Sequence, residues 1–498
     1  MWIFLGFLAM GASTPPFSIE INGPDLLFRF HPGVSAANLF EIAPHEDPMK
    51  AAGKRVEGAT LVDNTLRLGA KNRETNGFFL VDQTGKRSGA AQFVTKWDTS
   101  ADPDKALPTN LGIKGLQVQM LDDALTLGIH HAALNVNLAQ LIRVPAQPGD
   151  ETLTLQEKTI GFRSEVMEGM PIKNYTDKGI RVYLILLAYR SGNPEIDRLL
   201  LHPKMLSNAP NHLGAFNTAT PEGVRVFDWV VSCMAKRTAD PKGKQGRVAG
   251  WIVGNEINAH HEWYNRGPAT PVEVVGDYHR ALRLAHGALM RSGAPGRIYV
   301  SLEHHWTMKP SPDPKQSLPG KLFLTRLLEL SRTHGDFGWN LAHHPYPENL
   351  FEPRTWLDIM ALPNPDSPKM TFKNLDQLSL WMDRPEAQFQ GMSRRLILSE
   401  QGFHSPAGPE GQKQQAAGYV FAFEKIQMTP KVDAFILHRH VDHAIEGGLN
   451  LGLWTNKPGQ ICSPDQKKLI WQVFHDAGTS AQEKSFAPYR EMFTKPKK

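Results

Sequence analysis

Gly250-Trp-Ile-Val-Gly-Asn-Glu256 carries a short apolar run, bounded by glycines, into an Asn-Glu pair. A run of this kind reads as a buried strand. A carboxylate where that strand leaves the core needs a partner or a use, because an unpaired buried charge is costly. A polar, aromatic stretch follows at once, with Asn258, His260, His261, Trp263, Tyr264 and Asn265. Taken alone, a strand-end Asn-Glu is more often the partner of an arginine than a catalyst. Arg395-Leu-Ile-Leu-Ser-Glu400-Gln-Gly-Phe403 repeats the form, however, as a second buried strand ending in a carboxylate. Two such carboxylates in one chain are a far more specific signal than either.

Outward from these two stretches, strands and helices alternate, which favours a parallel sheet or barrel. The strands read at 113–117, 132–138, 181–188, 250–256, 297–303, 337–343, 395–400 and 432–438. The third, Arg-Val-Tyr-Leu-Ile-Leu-Leu-Ala, is apolar almost throughout, as a strand covered on both faces should be. Helical spacing of apolar residues predicts helices at 119–127, 222–239, 272–291, 322–334, 375–382, 412–427 and 464–477. This pattern predicts an α/β fold, a (β/α)8 TIM barrel over residues 108–480 with a tail at 481–498. Polar residues gather after the strands rather than before them, the side on which such barrels keep their active sites.

The rest of the chain sets outer bounds. Its 498 residues exceed one ordinary core. Residues 17–107 carry β-type segments such as Ser18-Ile-Glu-Ile-Asn22 and Gly77-Phe-Phe-Leu-Val-Asp82, with an Asp63-Asn64 turn between two short runs. They read as a small sandwich-like β-rich accessory domain, joined through an Asp-, Pro- and Ala-rich linker at 98–108. Residues 1–16 open with an apolar run too short to span a bilayer. That run reads as a signal-peptide core without its basic flank, and so predicts export to the periplasm or outside the cell, with no stable membrane insertion. The net charge of +5 is scattered, without a Lys/Arg tract, so nucleic acid is not an expected partner. Two cysteines, Cys233 and Cys462, offer no disulfide framework.

Glu256 after strand four and Glu400 after strand seven resemble the clan A glycoside hydrolases, retaining (β/α)8 enzymes with Asn-Glu and Glu at those places. His344-Pro345-Tyr346 after strand six is similar to the His-x-Tyr of the endoglucanase branch. The barrel region also resembles a group of bacterial proteins catalogued only as a domain of unknown function. The resemblance implies a retaining glycosidase acting on a poly- or oligosaccharide, anionic glycans included, without a cofactor. It implies Glu256 as acid/base, Glu400 as nucleophile and Asn255 as a partner of the sugar 2-hydroxyl. Trp263, Tyr264, Trp306 and Trp454 are candidates to stack on sugar rings; His305, His344 and Tyr346 are further candidate contacts. The chain departs from the branch after strand two, where Asn135 and Asn137 replace an arginine, and after strand eight, where His438, Arg439 and His440 replace a tryptophan.

The chemistry suits that reading, because glycosidic cleavage needs an acid for the leaving oxygen and a carboxylate for the developing oxocarbenium ion. Two rivals stand beside it. Paired histidines at 260–261, 304–305 and 343–344, and His438 with His440, suggest a metal-dependent hydrolase. Adjacent histidines on an extended segment point to opposite sides, so each pair should supply at most one ligand. No metal is therefore expected. A non-catalytic carbohydrate-binding barrel is the other rival, although both carboxylates are present.

Overall fold

The computed structural model describes residues 15–31, 37–57, 60–62, 65–98, 104, 107–109, 111–240 and 243–494. The apolar run at 1–12, the Asp63-Asn64 turn and much of the 98–108 linker lie outside them.

Eight parallel strands close into a barrel: β1 Lys114–Leu116, β2 His131–Asn137, β3 Arg181–Tyr189, β4 Val248–Val253, β5 Arg297–Glu303, β6 Trp339–His344, β7 Leu396–Gln401 and β8 Val432–Leu437. Each pairs with its neighbour in sequence, and β1 closes the ring on β8. Side-chain alternation along each strand divides the apolar residues into two sets. Ala133, Tyr183, Ile185, Ile252, Tyr299, Ala342, Ile397 and Ile436 fill the inside of the barrel. Their neighbours face outward and pack under helices such as Pro221–Ala239, Pro271–Ser292 and Gly320–His334. Gly250 is small for a reason inside this layer: a Cβ there would come within 2.4 Å of the Tyr183 ring and 2.8 Å of the Tyr299 ring.

The described residues between Phe17 and Lys96 form two antiparallel-rich sheets. One has five strands, including Phe17–Asn22, Asp25–Phe30 and Thr65–Gly69; the other has four, including Ala37–Ile42, Gly77–Asp82 and Arg87–Gln92. Phe17, Ile19, Leu26, Phe28, Leu39, Phe78 and Leu80 pack between them. These sheets rest on the barrel's outer helices, where Gln92 Nε2 donates to the Thr333 carbonyl at 2.8 Å and His334 Nδ1 lies 2.8 Å from the Ala91 carbonyl.

Three parts of the chain differ from the sequence-based expectation. Residues 464–477 are not one helix: Pro464–Lys467 pairs as a strand with Trp454–Asn456, and the helix is confined to Leu469–Asp476. The intervening Lys468 is drawn into a buried ion pair with Asp442 at 2.9 Å, which fixes the break. The expected tail contains the helix Gln482–Thr494, held down by buried Phe486, by Tyr489 and Phe493 packed on the core, and by Arg490 paired with Glu424. Between β2 and β3 an unforeseen hairpin, Glu151–Leu155 with Lys158–Phe162, adds Ile142–Arg143 as a third strand. Among the described residues no helix is long and apolar enough to cross a membrane.

Candidate active site

The chain leaving β4 turns at once. Gly254 has φ +75°, and a Cβ there would meet Ile257 and the Tyr264 ring at 2.8–2.9 Å. Two residues on, Glu256 is itself left-handed, with φ 42° and ψ 54°. For a residue with a Cβ this conformation costs about 1–2 kcal/mol, and such strain is held only where the surroundings over-determine it. Here they do. The Glu256 N–H donates to Ser301 Oγ on β5 at 3.0 Å, and Glu256 Oε1 lies 2.8 Å from His344 Nδ1 on β6. His344 Nε2 reaches Ser399 Oγ on β7 at 3.0 Å. Four consecutive strand ends thus fix one carboxylate.

Glu400, on β7, faces it. Tyr346 donates its hydroxyl to Glu400 Oε1 at 3.2 Å. Ligand atoms of Glu256, His344 and Glu400 all lie within 4.8 Å of one another. The environments push the two carboxyls apart. Burial raises Glu256 above the usual carboxylate range, and the charges of Glu400 and Glu303 add to this against the opposing hydrogen bond and charge of His344. Burial raises Glu400 too, but the charges of His438 and His344, the Tyr346 hydroxyl and the Gln117 side chain outweigh it, leaving Glu400 below its ordinary value. A pair displaced in opposite directions is the arrangement in which one carboxyl holds a proton while the other stays ionised.

The remaining sequence candidates divide. Asn255 is 9 % exposed, and its Oδ1 has no hydrogen-bond partner. Asn135 is exposed at the mouth, lining with Gln117 and Arg439 a cavity of about 230 Å³. Trp263 is half-buried and packs against the apolar interior of the barrel. His305 is half-buried and bonded to Glu303. Four expectations need correction. Tyr264 is core, its ring packed edge-on against Phe216 and Tyr278. Trp306 is core: it is 2 % exposed, its indole N–H donates to the Pro365 carbonyl at 2.9 Å, and its ring meets Trp381 edge-on. Asn137 is engaged in the backbone, its Oδ1 accepting from the N–H groups of Ala139 and Tyr189. Trp454 is tied down through its indole N–H to Asp123, which also holds His440 and Trp471.

Ser301, Ser399, Gln117 and Tyr189 belong to the site without being candidates in the sequence, and His438, read there as a departure from the branch and a rival metal ligand, acts instead on Glu400. Gln117 and His438 bond to one another at 2.7 Å, bridging the ends of β1 and β8. Tyr189 ends β3 and feels the charge of Glu400. Position at a strand end is the signal they share, but a serine or glutamine there carries no chemical flag of its own.

Two groups of side chains bring three metal-ligating atoms together among the described residues: Glu256, His344 and Glu400, and Glu303, His304 and His305. In the first, both His344 nitrogens are already engaged by Glu256 and Ser399. The second departs from the expectation that adjacent histidines point apart. β5 ends at Glu303, and beyond it the chain is no longer extended, so the His304 and His305 rings stack at 4.6 Å between centroids and 25° between planes.

Among solved structures, the chain is similar to a family 39 glycoside hydrolase from the gut symbiont Bacteroides cellulosilyticus, with TM-score 0.48 and 11% identity over 94% of this chain and 83% of that one. It is also similar to a hyperthermophilic beta-glucosidase from Pyrococcus furiosus, with TM-score 0.47 and 12% identity over 76% of this chain and 86% of that one. A family 1 beta-glucosidase from Thermotoga maritima gives TM-score 0.43 and 10% identity, covering 72% and 86%. No curated protein matches in sequence. Residues 106–496 match DUF5722, a family of unknown function, and the chain belongs to that family.

Proposed function

We propose that this protein is a retaining glycoside hydrolase acting on a poly- or oligosaccharide. The observation that carries the reading is the Glu256–Glu400 pair: carboxylate oxygens within 4.8 Å at one barrel mouth, with affinities for protons displaced in opposite directions. Retaining enzymes hold their carboxyls about 5–5.5 Å apart, whereas inverting ones leave about 6.5–9.5 Å for a water molecule. The short spacing therefore favours retention.

Glu256 protonates the departing glycosidic oxygen while Glu400 attacks the anomeric carbon, forming a glycosyl-enzyme and releasing the leaving-group sugar. Glu256, now ionised, takes a proton from water, whose oxygen displaces Glu400 with a second inversion. His344 holds Glu256 in place, and the Tyr346 hydroxyl supports the charge on Glu400. Asn255 Oδ1, buried at the site without a partner, suits a sugar hydroxyl. The apolar run at 1–12 is the basis for proposing that this occurs outside the cytoplasm.

Azide rescue tests the assignment, once a panel of aryl glycosides and polysaccharides, anionic ones included, has identified a substrate. Glu400→Ala should be inactive and yield the glycosyl azide of inverted configuration. Glu256→Ala should lose about 10²–10⁴-fold on substrates with poor leaving groups. It should keep activity on dinitrophenyl glycosides and yield azide product with retention. Exchanged stereochemistry would swap the roles. Wild-type activity in either variant would remove the mechanism, and binding without hydrolysis across the panel would favour a carbohydrate-binding barrel.

A further inference from the structure

Beside the carboxylate pair, at the end of β5, we propose a site for one divalent cation of the zinc class, formed by Glu303, His304 and His305. The donor atoms are specific. Glu303 Oε1 is already satisfied, accepting from the Asn258 amide and from the His305 N–H at 2.9 Å. Asn258 also accepts the Glu303 N–H at 3.1 Å, so the residue is clamped at both ends. The other oxygen, Oε2, faces two imidazoles: His305 Nδ1 at 2.5 Å and His304 Nδ1 at 4.0 Å.

His304 is what separates this cluster from an ordinary Glu–His pair. It is 8 % exposed, and both of its ring nitrogens are buried without a hydrogen-bond partner. A buried imidazole left in that state is unfavourable, and an ion at the convergence of the three donors would satisfy it. Tetrahedral coordination at about 2.1 Å sets neighbouring donor atoms about 3.4 Å apart. The two observed separations from Oε2, 2.5 and 4.0 Å, bracket that value, so small ring rotations suffice. One carboxylate and two imidazoles form a donor set suited to zinc and its borderline neighbours, with a fourth position left for water. The Asn258 clamp on Oε1 is the kind of outer hydrogen bond that orients a ligating carboxylate. Neither Glu256 nor Glu400 is among its ligands.

The test uses the full-length protein, free of any tag and stripped with chelator. Titration with ZnCl₂ followed by calorimetry should give one tight equivalent, and CoCl₂ should give the visible absorption of four-coordinate cobalt. His304→Gln should weaken zinc binding by roughly 100-fold or more, while Glu400→Gln should leave it unchanged. The proposal is overturned by failure of the wild-type protein to take up a stoichiometric ion, or by undiminished uptake in His304→Gln. Loss of uptake in Glu400→Gln would also overturn it, by moving the ion to the catalytic pair. Should His304→Gln not fold, His305→Gln serves in its place, and the wild-type cobalt spectrum decides independently: a weak six-coordinate spectrum rejects the site. These readouts measure binding, so they stand whether or not the glycosidase assignment holds.

Discussion

His344 Nδ1 lies 2.8 Å from Glu256 Oε1, and the same ring is near enough to Glu400 to lower its proton affinity as well. One imidazole therefore sets the working range of both carboxyls. As the reading requires Glu400 ionised and Glu256 protonated, activity should fall at low pH as Glu400 takes up a proton and at high pH as Glu256 loses one. Glu400 is displaced downward and Glu256 upward, so the two limbs fall on opposite sides of the ordinary carboxylate value.

Replacing His344 removes an influence that lowers both groups. In His344→Gln, both limbs of the kcat/KM profile should therefore move to higher pH, beyond any loss of rate. Tyr346→Phe removes a hydrogen bond made to Glu400 alone, so its acid limb should move up while the alkaline limb stays. Loss of a hydrogen bond to a charged group, about 1.5–3 kcal/mol, corresponds to roughly 10–100-fold in rate. Opposite movements of the two limbs in His344→Gln, or an alkaline shift in Tyr346→Phe, would contradict this division of labour.

The barrel and its carboxylates could be read from the sequence because both depend on local signals. Strands such as 181–189 are apolar on both faces, and the Glu256 and Glu400 segments end in a charge where a buried run stops. What could not be read was the direction in which a side chain points after its strand ends. Trp306 and His305 are neighbours in sequence, yet Trp306 turns under the helices to meet Trp381 while His305 stays beside Glu303. Ser301 and Ser399 look unremarkable as residues, and they matter only because the barrel brings β5 and β7 to either side of His344. In the helix Gln482–Thr494, Phe486, Tyr489 and Phe493 recur at helical spacing, but Pro488 within it is a signal against a helix.

The two tryptophans make a direct comparison. Trp306→Phe removes an indole N–H bonded to Pro365 and opens space against Trp381, so it should lower stability by about 1–3 kcal/mol and leave KM unchanged. Trp263→Ala should do the reverse: KM rises by about tenfold, the value of one contact worth 1.4 kcal/mol, with a smaller loss of stability. Urea unfolding and steady-state kinetics on both variants check this. A KM effect from Trp306→Phe alone would restore Trp306 to the cleft.

Acid should unfold this protein through its histidines before its carboxylates. Burial holds His131 and His260 down at about 3 and His334 and His343 at about 4, each well below the unfolded value of about 6.5. Because the unfolded chain takes up these protons first, the stability gained from keeping the rings neutral is complete above pH 6.5. It is lost progressively as the pH falls toward the folded values. Each such ring contributes about 1.4 kcal/mol per pH unit across that window, so the loss below pH 6.5 should be steeper than one histidine would give. Urea midpoints measured between pH 8 and pH 5 report the slope. His260 isolates the cause, because it is 1 % exposed and neither ring nitrogen has a hydrogen-bond partner. In His260→Leu no hydrogen bond is lost, stability at pH 7 should be maintained, and the slope below pH 6.5 should ease by about 1.4 kcal/mol per unit. An unchanged slope in that variant would place the acid sensitivity elsewhere.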